Sequence, residues 1–142
     1  MAYDGRVYLA DTSAWSRATH PTLSGDWSEA LAARQIATCP IVRLELLYQA
    51  RNGAEYDRHD DLLGSLRDIP LTRSMTNAAL AAFRKLAHAS PLGQRAVRLP
   101  DVLIAAAAQD ASVGVLHYDA HFDRLAEVLD FESRWIAPAG SL

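Results

Sequence analysis

The sequence predicts an α/β fold: a single domain over 1–142, with a central parallel sheet of about four to five short strands flanked by helices on both faces. Three observations carry this expectation. Short apolar runs alternate with stretches of helical spacing, and strands separated by helices pair in parallel with both sheet faces covered. With 142 residues, half of them apolar, the chain can close one hydrophobic core. The run from Leu99 to Ala108 is apolar almost all round, so its helix belongs in the middle of the fold.

In chain order, Arg6–Ala10 is an apolar run that stops at Asp11-Thr12-Ser13, the pattern of a buried strand with Asp11 at its carboxyl end. Thr12 or Ser13 is expected to cap a short helix from Ala14 to about Thr19, and His20-Pro21 closes it. Ser24-Gly25-Asp26 opens a second helix with Trp27, Ala30 and Leu31 on one side. Ile36–Cys39 reads as a strand; Pro40 starts a helix that runs to Arg51 and ends at Asn52-Gly53. Another helix covers about Ala54 to Leu66. Ile69-Pro70-Leu71 is expected as a weak third strand, confined by proline to an edge or a strand end. Thr76–His88 sets Ala79, Leu80, Phe83, Leu86 and Ala87 at three- and four-residue steps, an amphipathic helix. Ser90–Leu99 reads as a loop before the helix from Pro100. Val113–His117 is a strand, Ala120–Leu129 a helix and Arg134–Ile136 a last strand.

Composition narrows the function. The longest apolar stretches, Leu44–Tyr48 and Val102–Ala108, fall far short of the roughly 20 residues that span a bilayer. No secretory leader is visible and Cys39 is alone, so a cytoplasmic protein without a membrane segment or disulfide is expected. The net charge of −3 excludes a global attraction to nucleic acid and leaves local patches. Of 14 basic residues only Lys85 is a lysine; arginine suits bidentate phosphate contacts, and is also what a GC-rich genome encodes. Trp15, Trp27 and Trp135 read as packing residues rather than base-stacking platforms.

In parallel α/β sheets a ligand site lies outside the carboxyl ends of the strands. Asp11 and Asp119 fall there, Asp101 sits in the first turn of the apolar helix, and Glu45 lies one turn into the helix after Ile36–Cys39. Two carboxylates about 4 Å apart repel by roughly 4 kcal/mol at an effective dielectric near 20, so four together require a counter-charge. No Cys or His cluster suggests zinc, whereas all-oxygen ligands favour Mg²⁺ or Mn²⁺, the equipment for hydrolysing a phosphodiester. His117 and His121, four apart, are not read as a metal pair because His117 ends a strand. Each acid taken singly also has a plain reading: Asp11 as strand end and cap, Asp101 as a first-turn acid worth about 0.3–1 kcal/mol, Glu45 as the partner of Arg43 or another arginine.

Val7–Ala14, Glu45-Leu46-Leu47, Pro100–Ala108 and Val115–Asp123 resemble, in order, the successive acidic motifs of the PIN-domain ribonucleases, most nearly the VapC toxins of bacterial toxin–antitoxin pairs. The likeness covers essentially the whole chain. It implies a PIN fold and a Mg²⁺- or Mn²⁺-dependent endoribonuclease with one or two ions per site. It also implies a homodimer, joined into a heterotetramer or larger assembly by a VapB-like antitoxin whose C-terminal segment blocks the acidic cleft. By position, Asp11, Asp101 and Asp119 are implied as metal ligands, Glu45 as supporting the site, and Thr12 or Ser13 as bonding a ligand carboxylate or a metal water. A metal-activated water would then attack the phosphorus, leaving a 5′-phosphate and a 3′-hydroxyl. Many relatives carry an acid immediately before the phenylalanine of the last motif, where this chain has His121, which implies a weak second metal; Asp123 is the substitute acid, and Asp119 is preferred over it. Arg73, Arg95 and Arg98 are candidates for RNA phosphate contacts or members of a solvated loop. Two other functions fit the same motifs: an RNA-processing PIN nuclease without antitoxin, and a PIN protein-binding module that has lost cleavage.

Overall fold

The computed structural model describes all residues, Met1–Leu142. Strands β1 (Tyr8–Ala10), β2 (Ile36–Thr38), β3 (Arg67–Asp68), β4 (Gly114–His117) and β5 (Ser133–Trp135) form one parallel sheet in the order β3-β2-β1-β4-β5. From β1 the chain steps outward through β2 and β3, then returns to the other side of β1 as β4. The order therefore reverses between β1 and β4, the switch point at which a parallel α/β sheet forms its crevice, beyond the carboxyl ends of the strands.

Helices α1 (Thr12–Arg17), α2 (Ser24–Ala32), α3 (Pro40–Tyr48), α4 (Gly53–Gly64), α5 (Arg73–Ala89), α6 (Leu99–Asp110) and α7 (His121–Leu125) connect the strands. Alternation along the strands divides the core in two. Leu9, Ala37 and Val115 join the apolar residues of α3, α5, α6 and α7 on one face. Tyr8, Ala10, Ile36 and Leu116 join those of α1 and α2 on the other. There Trp15 and Trp27 pack edge to face with ring centres 4.8 Å apart, so these two tryptophans serve packing.

Helix α6 is the central helix. Ala105, Ala106, Ala107 and Ala108 have no exposed surface, and side chains of that size let α6 lie close to both α5 and the sheet. Its first turn differs: Leu99 is 65 % exposed, while Asp101 two residues on is 1 % exposed. The amino end of α6 thus reaches the surface at the crevice and turns one carboxylate inward.

Several elements depart from expectation. The third strand is Arg67–Asp68, not Ile69-Pro70-Leu71. Its ladder with β2 closes at Ile69, whose N–H donates to the Thr38 carbonyl at 2.8 Å, and Pro70 has no N–H with which to continue. The cap of α1 is Asp11 rather than Thr12 or Ser13, because its carboxylate accepts the Ser13 N–H. Helix α5 starts at Arg73, since the Thr72 hydroxyl caps Met75 N–H at 3.0 Å. The loop before α6 contains a 3-10 turn, Gly93–Ala96, packed on α5, and the N-terminal turn Ala2–Gly5, whose Tyr3 and Asp4 are left-handed, buries Ala2 and Tyr3. The predicted helix over Ala120–Leu129 is α-helical only to Leu125 and continues as turns.

Candidate metal and active site

The crevice gathers side chains from four elements. Asp11 follows β1, and its buried carboxylate accepts two bonds from Ser13, from N–H at 3.1 Å and from Oγ at 2.6 Å. Ser13 Oγ accepts in turn from Tyr118 N–H at 2.9 Å, a link across 105 residues that pins the ends of β1 and β4 together. Burial pushes the Asp11 carboxyl up, and the charge of Asp119 adds to this against the bonds from Ser13 and Thr12.

Asp101 is also buried. Its carboxyl is pushed up to about 6, first by burial, with the charges of Asp11 and Asp119 adding, while the bond from His121 and the charge of Arg98 work the other way. Burial, more than mutual repulsion, is what makes this carboxylate costly to ionise. Asp119, just beyond β4, accepts the His121 N–H on Oδ1 at 2.9 Å. His121 Nδ1 lies 3.0 Å from Asp101 Oδ2 and 3.5 Å from Asp119 Oδ1. One donor atom from each of Asp101, Asp119 and His121 falls within 4.8 Å of the others. Such a set, two carboxylates and an imidazole with Asp11 adjacent, fits a divalent cation in charge and in donor type.

Glu45 lies outside that trio. Thr12 Oγ1 donates to its Oε1 at 3.0 Å and Arg98 Nη2 to its Oε2 at 3.4 Å, so its arginine is Arg98, while Arg43 pairs with Asp60. Arg98 thereby stands beside the acid site, paired with Glu45 through one nitrogen and otherwise exposed. Arg73 and Arg95 are exposed and make no ion pair.

Asp123 stands on the far side of a hydrogen-bond chain. Ser133 Oγ donates to Asp123 Oδ1 at 2.7 Å and Trp135 Nε1 to Oδ2 at 2.9 Å, which tie this acid to β5. Burial acts against ionisation, yet those two bonds hold the Asp123 carboxyl below its usual range. With the Ser133 proton directed at Asp123, His117 Nε2–H is the donor to Ser133 Oγ at 2.7 Å, and His117 Nδ1 accepts Asp119 N–H at 3.1 Å. Buried His117 is pushed down to about 4 and is neutral, a strut beneath Asp119 and not a ligand.

His121, which the sequence does not single out as a metal ligand, stands at the position where many relatives carry an acid, and the fold brings its Nδ1 beside both Asp101 and Asp119. A cavity of about 570 Å³ lies at the opposite, amino edge of the sheet, among Arg6, Gly114 and Glu132, and contains none of these acids.

Comparison with known proteins identifies the family. The PIN domain family model matches residues 8–128. The chain is 40 % identical to Ribonuclease VapC18 of Mycobacterium tuberculosis over 136 residues, 96 % of this chain and 99 % of that protein. It is 38 % identical to Ribonuclease VapC51 of the same organism, over 95 % of this chain and 96 % of that one. Among solved structures it resembles a VapBC toxin–antitoxin family member, VapBC-5 of M. tuberculosis, with a TM-score of 0.64 at 23 % identity over 91 % of this chain and 98 % of that one.

Proposed function

The chain belongs to the PIN-domain family, among the VapC ribonucleases, and we propose that it is the toxin of a toxin–antitoxin pair: an endoribonuclease that hydrolyses RNA phosphodiester bonds and is silenced by a VapB-like antitoxin. The observation that carries this reading is Asp101, 1 % exposed at the mouth of the crevice, with the donor atoms of Asp119 and His121 within 4.8 Å and Asp11 close enough to raise its pKa. A carboxylate so placed is stable as an anion only beside a cation.

Asp11, Asp101 and Asp119 would hold Mg²⁺ or Mn²⁺, one or two ions per site. When bound, such a cation supplies positive charge to phosphoryl oxygens and lowers the pKa of a water. The protein's own residues set the stage. Ser13 fixes Asp11 against β4, and His117 fixes the backbone of Asp119. Thr12 and Arg98 orient Glu45 at the rim, where it supports the site by orienting water or accepting a proton. Arg98, with exposed Arg73 and Arg95, supplies the guanidinium groups for RNA phosphates.

The VapBC complex among its structural neighbours supports an antitoxin partner, and exposed Leu44, Tyr48, Tyr56 and Leu62 on α3 and α4 offer apolar surface for a protein. A homodimer that becomes a heterotetramer or larger with antitoxin is the assembly this reading takes. No helix is long and apolar enough to cross a membrane, and the proposed place of work is the cytoplasm.

The test is RNA cleavage by purified Asp101→Asn and, separately, Asp11→Asn. Both are expected to lose Mg²⁺- and Mn²⁺-dependent cleavage while keeping the wild-type circular dichroism. Full activity in either would falsify the assignment.

A further inference from the structure

Most of the acid constellation is oxygen, but the atom closest to Asp101 Oδ2 from across the crevice is a nitrogen, His121 Nδ1 at 3.0 Å. Its position is set by backbone as well as side chain, since Asp119 Oδ1 accepts the His121 N–H at 2.9 Å and so locks both residues into one turn. Nδ1 is also 3.5 Å from Asp119 Oδ1, while Nε2 makes no hydrogen bond within the protein. In the contact as it stands Nδ1–H donates to Asp101 Oδ2, and with Nε2 unengaged the ring can carry its proton there instead and offer the Nδ1 lone pair to a cation held between the two carboxylates.

We propose that His121 is a metal-ligating residue of this site, and that its nitrogen gives the protein a preference for Mn²⁺ and other transition-metal cations over Mg²⁺. The proposal deepens the nuclease reading above and rests on it. Mg²⁺ demands near-octahedral oxygen coordination and parts reluctantly with its waters, whereas a first-row transition cation takes an imidazole nitrogen more readily, weakly in Mn²⁺ at the foot of the affinity series and more strongly in Co²⁺. Two carboxylates and one imidazole, with donor atoms within 4.8 Å of one another, form a mixed set that can close on one ion. The other cation of the crevice does not compete for the place, because Arg98 is engaged with Glu45. His121 has one rival role, a protonated counter-charge that stands where the cation would bind. The two roles make opposite predictions when the ring is removed.

The test uses the full-length protein stripped of metal with chelator. Binding of Mn²⁺, Co²⁺ and Mg²⁺ is measured by titration calorimetry for the wild type, His121→Ala, His121→Asp and Asp101→Asn, and the Mn²⁺-loaded samples are examined by pulsed EPR for nitrogen coupling. In His121→Ala, Mn²⁺ and Co²⁺ are expected to bind about tenfold or more weakly, with Mg²⁺ changed much less. His121→Asp is expected to shift the preference back toward Mg²⁺, and the nitrogen coupling of the wild type is expected to vanish in His121→Ala. Equal losses for all three cations, tighter binding of all three in His121→Ala, or no nitrogen coupling in the wild type overturns the proposal. Asp101→Asn separates the two levels. If it binds Mn²⁺ as well as the wild type does, the metal-site reading itself fails; if it loses Mn²⁺ and His121→Ala does not, only the role of His121 fails.

Discussion

At the scale of the residue, Asp101 and His117 are buried ionisable groups whose effects on stability have opposite sign. The Asp101 carboxyl is raised from 3.8 to about 6, so in the absence of metal the folded chain holds more protons than the unfolded one between those values, and stability falls as pH rises through them. At pH 7.5 this penalty amounts to at most about 3 kcal/mol at ~1.36 kcal/mol per unit. Asp101→Asn is accordingly expected to unfold at higher urea concentration than the wild type in chelator at pH 7.5, although it is inactive. A lower midpoint would show that the carboxylate is not strained. His117 is lowered from 6.5 to about 4, so the unfolded chain holds more protons in that window, and stability falls as pH drops from 6.5 toward 4. The two slopes oppose each other over much of one range and must be separated. In metal-free Asp101→Asn, acidification from pH 6.5 to 4 is expected to lower the unfolding free energy by up to about 3 kcal/mol more than in the same chain carrying His117→Gln, which keeps a donor toward Ser133. Parallel profiles would remove the neutral strut from beneath Asp119.

At the scale of the element, α6 and the 3-10 turn before it decide how the acid enters the crevice. Gly93 needs no unusual backbone conformation; its constraint is closeness, since an added Cβ would stand 2.0 Å from the Leu86 carbonyl oxygen and 2.9 Å from Ser90 Oγ. The turn must press on the end of α5 for Val97 to be buried and for Arg98 to reach Glu45. Gly93→Ala is expected to cost about 2 kcal/mol or more in chemical denaturation, in the upper range for overpacking because the obstruction is backbone. A loss below about 0.5 kcal/mol, the range of an unremarkable surface change, would show that the turn is free to shift.

At the scale of the whole molecule, the charge of −3 sets the character of RNA binding. With Arg73, Arg95 and Arg98 as the proposed phosphate contacts, about three contacts to single-stranded RNA give a slope of log affinity against log salt near −2. Measured with Asp101→Asn to prevent cleavage, a slope steeper than about −5 would reveal a basic surface that these arginines do not account for.

The pattern of the fold was legible in the chain because local rules write it. Short continuous apolar runs mark the strands, the Leu99–Ala108 run marks the buried helix, and the strand ends place Asp11 and Asp119 at one edge of the sheet. What the tertiary structure alone decided is which partner each polar side chain meets. Ser13 reaches Tyr118 across 105 residues, Asp123 is taken up by Ser133 and Trp135, Glu45 chooses Arg98 over Arg43, and His121 arrives at Asp101 as a nitrogen among oxygens. Periodicity is carried by neighbours along the chain and can be read from them; a hydrogen bond between distant residues depends on sheet order and on the packing distance of α6, which are properties of the closed core.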